Sequence, residues 1–183
     1  MHSGEQTIHK YLVQRSQKGD RKAQSELYKL YVNAMYNICR RMTGDPEEAK
    51  DILQDAFIQA FTHIKKLKNE ATFGAWLKKI VVNHCINHLK KKKLKVNELN
   101  EKYDITDPDD EYDDDWRKED IKRIITAVDK ISEGCKIVLN LYLFEGYDHK
   151  EIGQILNISE SASKAQYSKA KSKIRKLLNY ERG

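Results

Sequence analysis

Residues 148–176 read DHKEIGQILNISESASKAQYSKAKSKIRK, and this stretch decides which fold to expect. Asp148 and Glu151 stand at the spacing of a capping box, and Ile152, Ile155 and Leu156 behind them give a short helix one apolar side. Asn157-Ile158-Ser159 then makes a tight turn into a long last helix. In that helix Ser163, Tyr167, Ala170 and Ile174 follow each other at helical steps and face a core. Ser161, Lys164, Ser168, Lys171 and Arg175 take the opposite side, flanked by Lys169, Lys173 and Lys176. Two helices joined in this way predict a helix-turn-helix. Cations along such a helix neutralise phosphates and set register, while short polar side chains near its start reach base edges. A solvated surface helix has the same charge pattern; the capped helix and turn in front favour the DNA reading.

Working back towards the N-terminus, a helix starting near Ser132 carries Ile137, Val138, Leu141, Tyr142 and Phe144 and is closed by Gly146. Ile121, Ile124, Ile125, Val128 and Ile131 form a helical stripe before it. A second block lies upstream. Ala23, Leu27, Leu30, Tyr31, Ala34, Met35, Ile38 and Met42 recur at three- and four-residue steps, and Gly44 ends that helix. Asp45-Pro46-Glu47-Glu48 opens the next with an N-cap, a proline at the first position and acids at the positive end of the dipole. Its stripe is Ala49, Ile52, Leu53, Ala56, Phe57, Ala60, Phe61, Ile64 and Leu67. After a polar break from Lys68 to Thr72, Phe73, Trp76, Leu77, Ile80, Val81 and Leu89 mark a further helix. With a short first helix near Ile8 to Arg15, these make a compact bundle.

The expectation is an all-α protein of two helical domains, an N-terminal bundle over 1–93 and a C-terminal helix-turn-helix domain over 119–183. The intervening 94–118 contains Asp107-Pro108-Asp109-Asp110 and Asp113-Asp114-Asp115, has no sustained apolar period and reads as an acidic flexible linker. From Glu98 to Asp120 twelve acids face three bases, so the formal charge of +6 hides +15 on the remaining 160 residues. That field attracts a polyanion, and nucleic acid is the expected partner.

Composition excludes other classes. No run of eighteen apolar residues exists to span a bilayer, and Met1 to Lys10 lacks the apolar centre of a signal peptide, so a cytoplasmic location without membrane insertion is expected. Cys39, Cys85 and Cys135 form no CxxC pair, which argues for reduced, buried thiols rather than a disulfide framework or a sulfur-based zinc site. His84 and His88 have the spacing of two metal ligands but no carboxylate nearby in sequence, so they are read as solvent-facing histidines near DNA and no metal or cofactor is expected. There is no phosphate-binding glycine loop, nucleophile elbow or HExxH motif, hence no catalytic residue to name.

The helix from Phe73 has a second, polar face of Lys78, Lys79, Asn83, His84, Asn87 and His88 that runs into Lys90-Lys91-Lys92-Lys93. Asn83 and Asn87 lie four residues apart, where amides offer donor and acceptor to unpaired bases. The break before it, with Lys65, Lys66, Lys68, Asn69 and Thr72, suits a loop that holds an extruded base. Asp51, Gln54, Asp55 and Gln59 share the outer side of the preceding helix, either as plain solvent contacts or as a dock for a positively charged protein.

Three motifs in order, Asp51-Ile-Leu-Gln54-Asp55-Ala-Phe57, Phe73-Gly-Ala-Trp76-Leu77-Lys-Lys-Ile80-Val-Val-Asn83 and Gly146-Tyr-Asp-His-Lys-Glu151-Ile152-Gly-Gln-Ile155-Leu156, resemble the extracytoplasmic-function sigma factors of bacterial RNA polymerase, in the sigma-70 family. The resemblance covers both blocks. It implies a non-catalytic subunit that directs the core enzyme to promoters and assists DNA melting. It makes Asp51, Gln54, Asp55 and Phe57 polymerase-binding residues on the clamp coiled coil of the largest subunit. Lys68, Asn69, Thr72, Lys79, Asn83, Asn87, Lys90 and Lys91 become minus-10 contacts, with Asn83 at the position tied to capture of a flipped base. Ser161, Lys164, Ala165, Ser168, Lys169, Lys171 and Arg175 become minus-35 contacts. The polymerase flap and an anti-sigma factor are further partners implied by the resemblance. Lys164, Gln166, Lys169 and Lys171 stand where relatives often carry arginine, and lysine lacks the planar fork, so no hexamer sequence follows. Read from the residues alone, a free-standing helix-turn-helix regulator and, more remotely, a metal hydrolase built on His84 and His88 are the alternatives.

Overall fold

A computed structural model of the chain describes the backbone of residues 2–99 and 116–180 and the side chains of residues 9–92 and 122–178. Among the described residues every regular element is helical: α1 (His2–Gln17), α2 (Arg21–Thr43), α3 (Pro46–His63), α4 (Phe73–Leu99), α5 (Trp116–Asp129), α6 (Glu133–Leu143), α7 (His149–Leu156) and α8 (Glu160–Tyr180). Two 3-10 turns, Ile64–Lys66 and Glu70–Thr72, lie between α3 and α4. The chain divides after Leu99 into two compact units. None of the described helices is long and apolar enough to cross a membrane.

The first unit is a bundle in which α2 packs on α1, α3 and α4, and α3 also packs on α4. Its helices start where side chains satisfy the orphan N–H groups of a first turn. Asp20 Oδ1 accepts from Lys22 N at 2.9 Å and Ala23 N at 3.2 Å; Asp45 Oδ1 accepts from Glu47 N at 2.8 Å and Glu48 N at 3.0 Å. Gly44 ends α2 at φ 78°, a left-handed conformation that costs glycine least. The core is built from Val13, Leu27, Phe73, Leu77, Val81, Val82 and Cys85, all essentially inaccessible. Around Phe73, Tyr31 approaches edge-on with ring centroids 5.3 Å apart and His9 lies at 6.1 Å.

The predicted stripe of α2 is wider than the surface its neighbours cover. Leu30 is 59% exposed and Ala34 is also on the outside, while Ala23, Leu27, Met35, Ile38 and Met42 are buried. The helix of Phe73 also runs six residues past 93, to Leu99, because lysine is a good helix former and a lysine run does not stop a helix. The expected linker is narrower at its other end too, since α5 begins at Trp116. The acidic stretches at 107–110 and 113–115 lie outside the described residues.

In the second unit, α8 packs on α5, α6 and α7, and Ile131, Cys135, Leu139 and Ala170 form a core joined by Val128, Tyr167 and Ile174. Ile124 and Ile125 stand exposed against expectation, and so do Tyr142 and Phe144 at the end of α6. The reason is geometric: α5 lies chiefly on α8, and one seam buries Ala127 and Ile131 with Val128 half-buried beside them but leaves Ile124 and Ile125 outside. The side chain of Ile121 lies outside the described residues. All three cysteines are free and buried.

Candidate nucleic-acid interface

In the second unit the interface is a local construction. Asp148 Oδ1 accepts from Glu151 N at 2.7 Å and Glu151 Oε2 accepts from Asp148 N at 2.9 Å, the reciprocal pair that opens α7. Asn157 closes α7 at φ 57°, and Ile158 N donates back to Gly153 O at 2.9 Å. A Cβ on Gly153 would meet Ile158 O at 2.8 Å, so the turn passes this close only over glycine. Ser159 Oγ then accepts from Ala162 N at 3.1 Å and starts α8.

On α8, Ser163 and Ala170 are fully buried and Tyr167 and Ile174 half-buried. Ser161, Lys164, Ala165, Ser168, Lys169, Lys171 and Arg175 are all exposed. At ~100° of rotation per residue, Ser161, Lys164, Ala165, Ser168 and Arg175 lie along one strip opposite the buried seam, with Lys169 and Lys171 on its two flanks. Ser168, Lys171, Arg175 and Lys176 also line a shallow concavity of about 290 Å³ together with Ser172, a residue the sequence reading missed although its spacing from Ser168 put it on the same strip. Lys164 Nζ is tied to Glu160 at 2.6 Å, which raises the lysine pKa and lowers that of the acid, through the hydrogen bond first and charge second. Lys171 Nζ stands 5.3 Å from the Tyr167 ring centroid. His149 Nδ1 lies 3.0 Å from Ser163 Oγ, and Tyr142 stacks on the imidazole at 4.5 Å, so a polar contact holds α7 to α8 beside the apolar one.

The first unit assembles its polar surface from separate pieces. Lys79, Asn83, Asn87, Lys90 and Lys91 are exposed on α4, and Val81, Val82, Cys85 and Ile86 are buried. The segment from 64 to 72 is anchored at both ends by buried Ile64, Leu67 and Phe73, and it leaves Lys68, Asn69 and Thr72 outside. Within it Asn69 Oδ1 accepts from Ala71 N at 3.1 Å, and Thr72 Oγ1 donates to Asn69 O at 2.8 Å.

His84 and His88 do not face solvent freely as expected; both are half-buried and turn towards α3. His84 Nε2 meets Gln59 Oε1, and His88 Nε2 stands 3.2 Å from Glu48 Oε2, near enough for an ion pair once protonated but off-line for a hydrogen bond. Lys92 Nζ reaches the same carboxylate at 2.7 Å. The carboxylate missing from the local sequence is thus supplied by a neighbouring helix. Among the described residues, no group of three or more His, Cys, Asp or Glu is placed to hold a metal ion.

The acid and amide patch of α3 is present as a surface: Asp51, Gln54, Asp55 and Gln59 are all exposed. Phe57 is not part of it. At 3% exposure, with its ring 4.7 Å from that of Tyr28, it packs the bundle and forms only the floor of an adjoining groove of about 400 Å³. Ile58, 57% exposed on the wall of that groove, was missed. The signal was available, since Ile58 is a large aliphatic residue off the apolar stripe of its own helix.

Comparison with known families agrees with this division. The model described as Sigma-70 region 2 matches residues 27–95, and that described as Sigma-70, region 4 matches residues 121–174. The ECF RNA polymerase sigma factor SigM of Bacillus subtilis (strain 168) is 26% identical over 161 residues, 84% of this chain and 94% of that protein. SigW of the same organism is 36% identical over 81 residues, which span 44% of this chain and 43% of SigW. The sigma factor RpoE from Bartonella quintana, solved in complex with the anti-sigma factor NepR, shares the fold at a TM-score of 0.60 and 16% identity, over 85% of this chain and 96% of RpoE. With both region models matched in order and relatives aligned along most of its length, the chain belongs to the sigma-70 family, among the ECF RNA polymerase sigma factors.

Proposed function

We propose that this chain brings RNA polymerase core enzyme to specific promoters and helps open them, as a non-catalytic, cytoplasmic subunit that works by binding energy alone. Residues 1–93 serve core binding, minus-10 recognition and melting, and residues 119–183 read the minus-35 element as duplex. Lys68, Asn69 and Thr72 of the loop and Lys79, Asn83, Asn87, Lys90 and Lys91 of α4 meet the opened strand. Ser161, Lys164, Ala165, Ser168, Lys169, Lys171 and Arg175 enter the upstream major groove. Asp51, Gln54 and Asp55 dock the clamp coiled coil of the largest polymerase subunit, and the groove under Ile58 supplies apolar contact beside their charge. The second unit meets the polymerase flap. An anti-sigma factor is a further partner, as NepR is for RpoE.

The observation that carries this reading is the strip on α8: five polar, cationic or small residues exposed opposite a buried seam, with Lys169 and Lys171 flanking them, directly behind a capped helix and a turn. A free-standing regulator has the same strip but no reason to bind core enzyme. The test is reconstitution. The chain co-elutes with core polymerase from gel filtration, and elution alone would overturn the proposal. In that holoenzyme Asn83→Ala lowers permanganate reactivity of melted thymines while upstream binding holds. Lys169→Ala does the reverse and reduces the salt slope of upstream binding by about one.

A further inference from the structure

The loop that bears Lys68, Asn69 and Thr72 is anchored by buried Ile64, Leu67 and Phe73, and between those anchors its backbone is tied to α1. Gln17, the last residue of α1, donates through Nε2 to Ile64 O at 3.1 Å and to Leu67 O at 2.9 Å. Those two carbonyls bracket the first 3-10 turn, and Leu67 N also returns to Ile64 O at 3.1 Å. One turn of α1 earlier, Gln14 Nε2 donates to Glu70 Oε1 at 3.1 Å at the start of the second 3-10 turn. The Glu70 carboxyl sits below its ordinary pKa through its own backbone N–H first and Gln14 second. A primary amide has two N–H donors, and Gln17 uses them on two backbone acceptors some fifty residues away in sequence.

From this geometry we infer that Gln17, seconded by Gln14, is a positioning residue for minus-10 recognition, holding the base-capturing loop in its working shape before DNA arrives. The inference rests on the proposed role of the loop. Short 3-10 segments make poor internal hydrogen bonds and are not rigid by themselves. A loop ordered only on contact pays its conformational entropy at that moment, and a loop already ordered does not. Inside the loop, Asn69 Oδ1 and the Thr72 hydroxyl are already engaged with backbone groups. The contacts from α1 therefore fix a frame whose parts are already set relative to each other. Gln17 touches no DNA in this account.

The experiment uses full-length chain in reconstituted holoenzyme. Gln17→Met keeps length and volume while removing both donors, and Gln14→Ala alters only an exposed position. Asn69→Ala serves as a direct alteration of the loop. In the free protein, Gln17→Met speeds hydrogen exchange at the amides of Leu67, Ala71 and Thr72 and leaves those of α4 unchanged. In holoenzyme it lowers permanganate reactivity about threefold to tenfold, the range expected for one or two lost hydrogen bonds, with core binding retained; Gln14→Ala lowers it about twofold. A merely structural role would instead depress core binding and α4 protection together with opening, and that pattern overturns the inference. So does normal opening in Gln17→Met or Gln14→Ala while Asn69→Ala opens poorly. Normal opening in Asn69→Ala removes the loop's role itself, and the exchange rates then still report whether α1 orders it.

Discussion

The two polar helix faces, α4 in the first unit and α8 in the second, are built on different plans. α8 needs only its own register: the residues that bury it and those that face outward alternate along 21 residues, and the turn that launches it is set by Gly153, Asn157 and Ser159 nearby. α4 works as part of an assembly. Its first turn is nailed into the core by Phe73, its neighbouring loop is held from α1 by Gln17, and its histidines are engaged by Gln59 and Glu48 of α3. On the function proposed above, a face for duplex DNA is legible one helix at a time, and a face for unpaired strands is distributed, because a flexible ligand has to be met from several directions.

The largest expected effect tests that dependence. Phe73 is fully buried among Tyr31, His9 and Trp76, and Phe73→Ala costs about 3–5 kcal/mol. Followed by NMR, the amides of α4 lose protection at lower temperature, and core binding and promoter opening fall together. Amides of α8 and binding to upstream duplex stay at wild-type levels. Equal loss in α8 would break the comparison by making the units one cooperative body.

A smaller effect sharpens it from the other side. Gly153→Ala places a Cβ 2.8 Å from a backbone oxygen that no rotamer change relieves. The expected cost is about 1–3 kcal/mol, confined to the second unit. Upstream duplex affinity drops about tenfold or more while core binding persists. If affinity is unchanged, the turn between α7 and α8 does not set the angle of the recognition helix.

The same contrast explains what was readable from residues alone. Helix starts at Asp45 and Asp148, the stop at Gly44 and the two faces of α8 depend on neighbours within four positions, and all are visible in local pattern. Errors arose where the partner was distant. Leu30 and Ile124 fit a stripe by period, yet period says which side an apolar residue takes and not how far the neighbouring helix extends. Phe57 shares a motif with three exposed residues, and the resemblance gives it their role, although its own place in the stripe says core. Gln17 and Glu48 act across forty or more residues, so nothing next to them in sequence announces the loop or the histidines they engage. Ile58 is the exception, a residue whose oddness is visible on its own helix.

The least effect, and the most selective, concerns acid. Asp20 and Asp45 both have carboxyls below their ordinary pKa. For Asp20 the backbone N–H of Ala23 is the first cause and Arg15 the second; for Asp45 the causes are the N–H groups of Glu48 and Glu47. A carboxyl depressed on folding adds stability that is fully present above its unfolded value of about 3.9 and is lost as pH falls through the lower folded value. The first unit therefore weakens from about pH 4 downward as α2 and α3 lose charged caps. The second unit has a corresponding group in Glu160, held down mainly by Lys164 in the open, where salt screens the pair. Asparagine caps a helix about as well as aspartate and does not titrate. Asp20→Asn with Asp45→Asn thus keeps the caps, gives up near neutral pH the part of the stability that depends on charge, including the Arg15 pair, and flattens the acid limb of α4 unfolding, followed by NMR in high salt, towards that of α8. An acid limb as steep as before would mean that other carboxylates, not these two caps, govern how the first unit responds to pH.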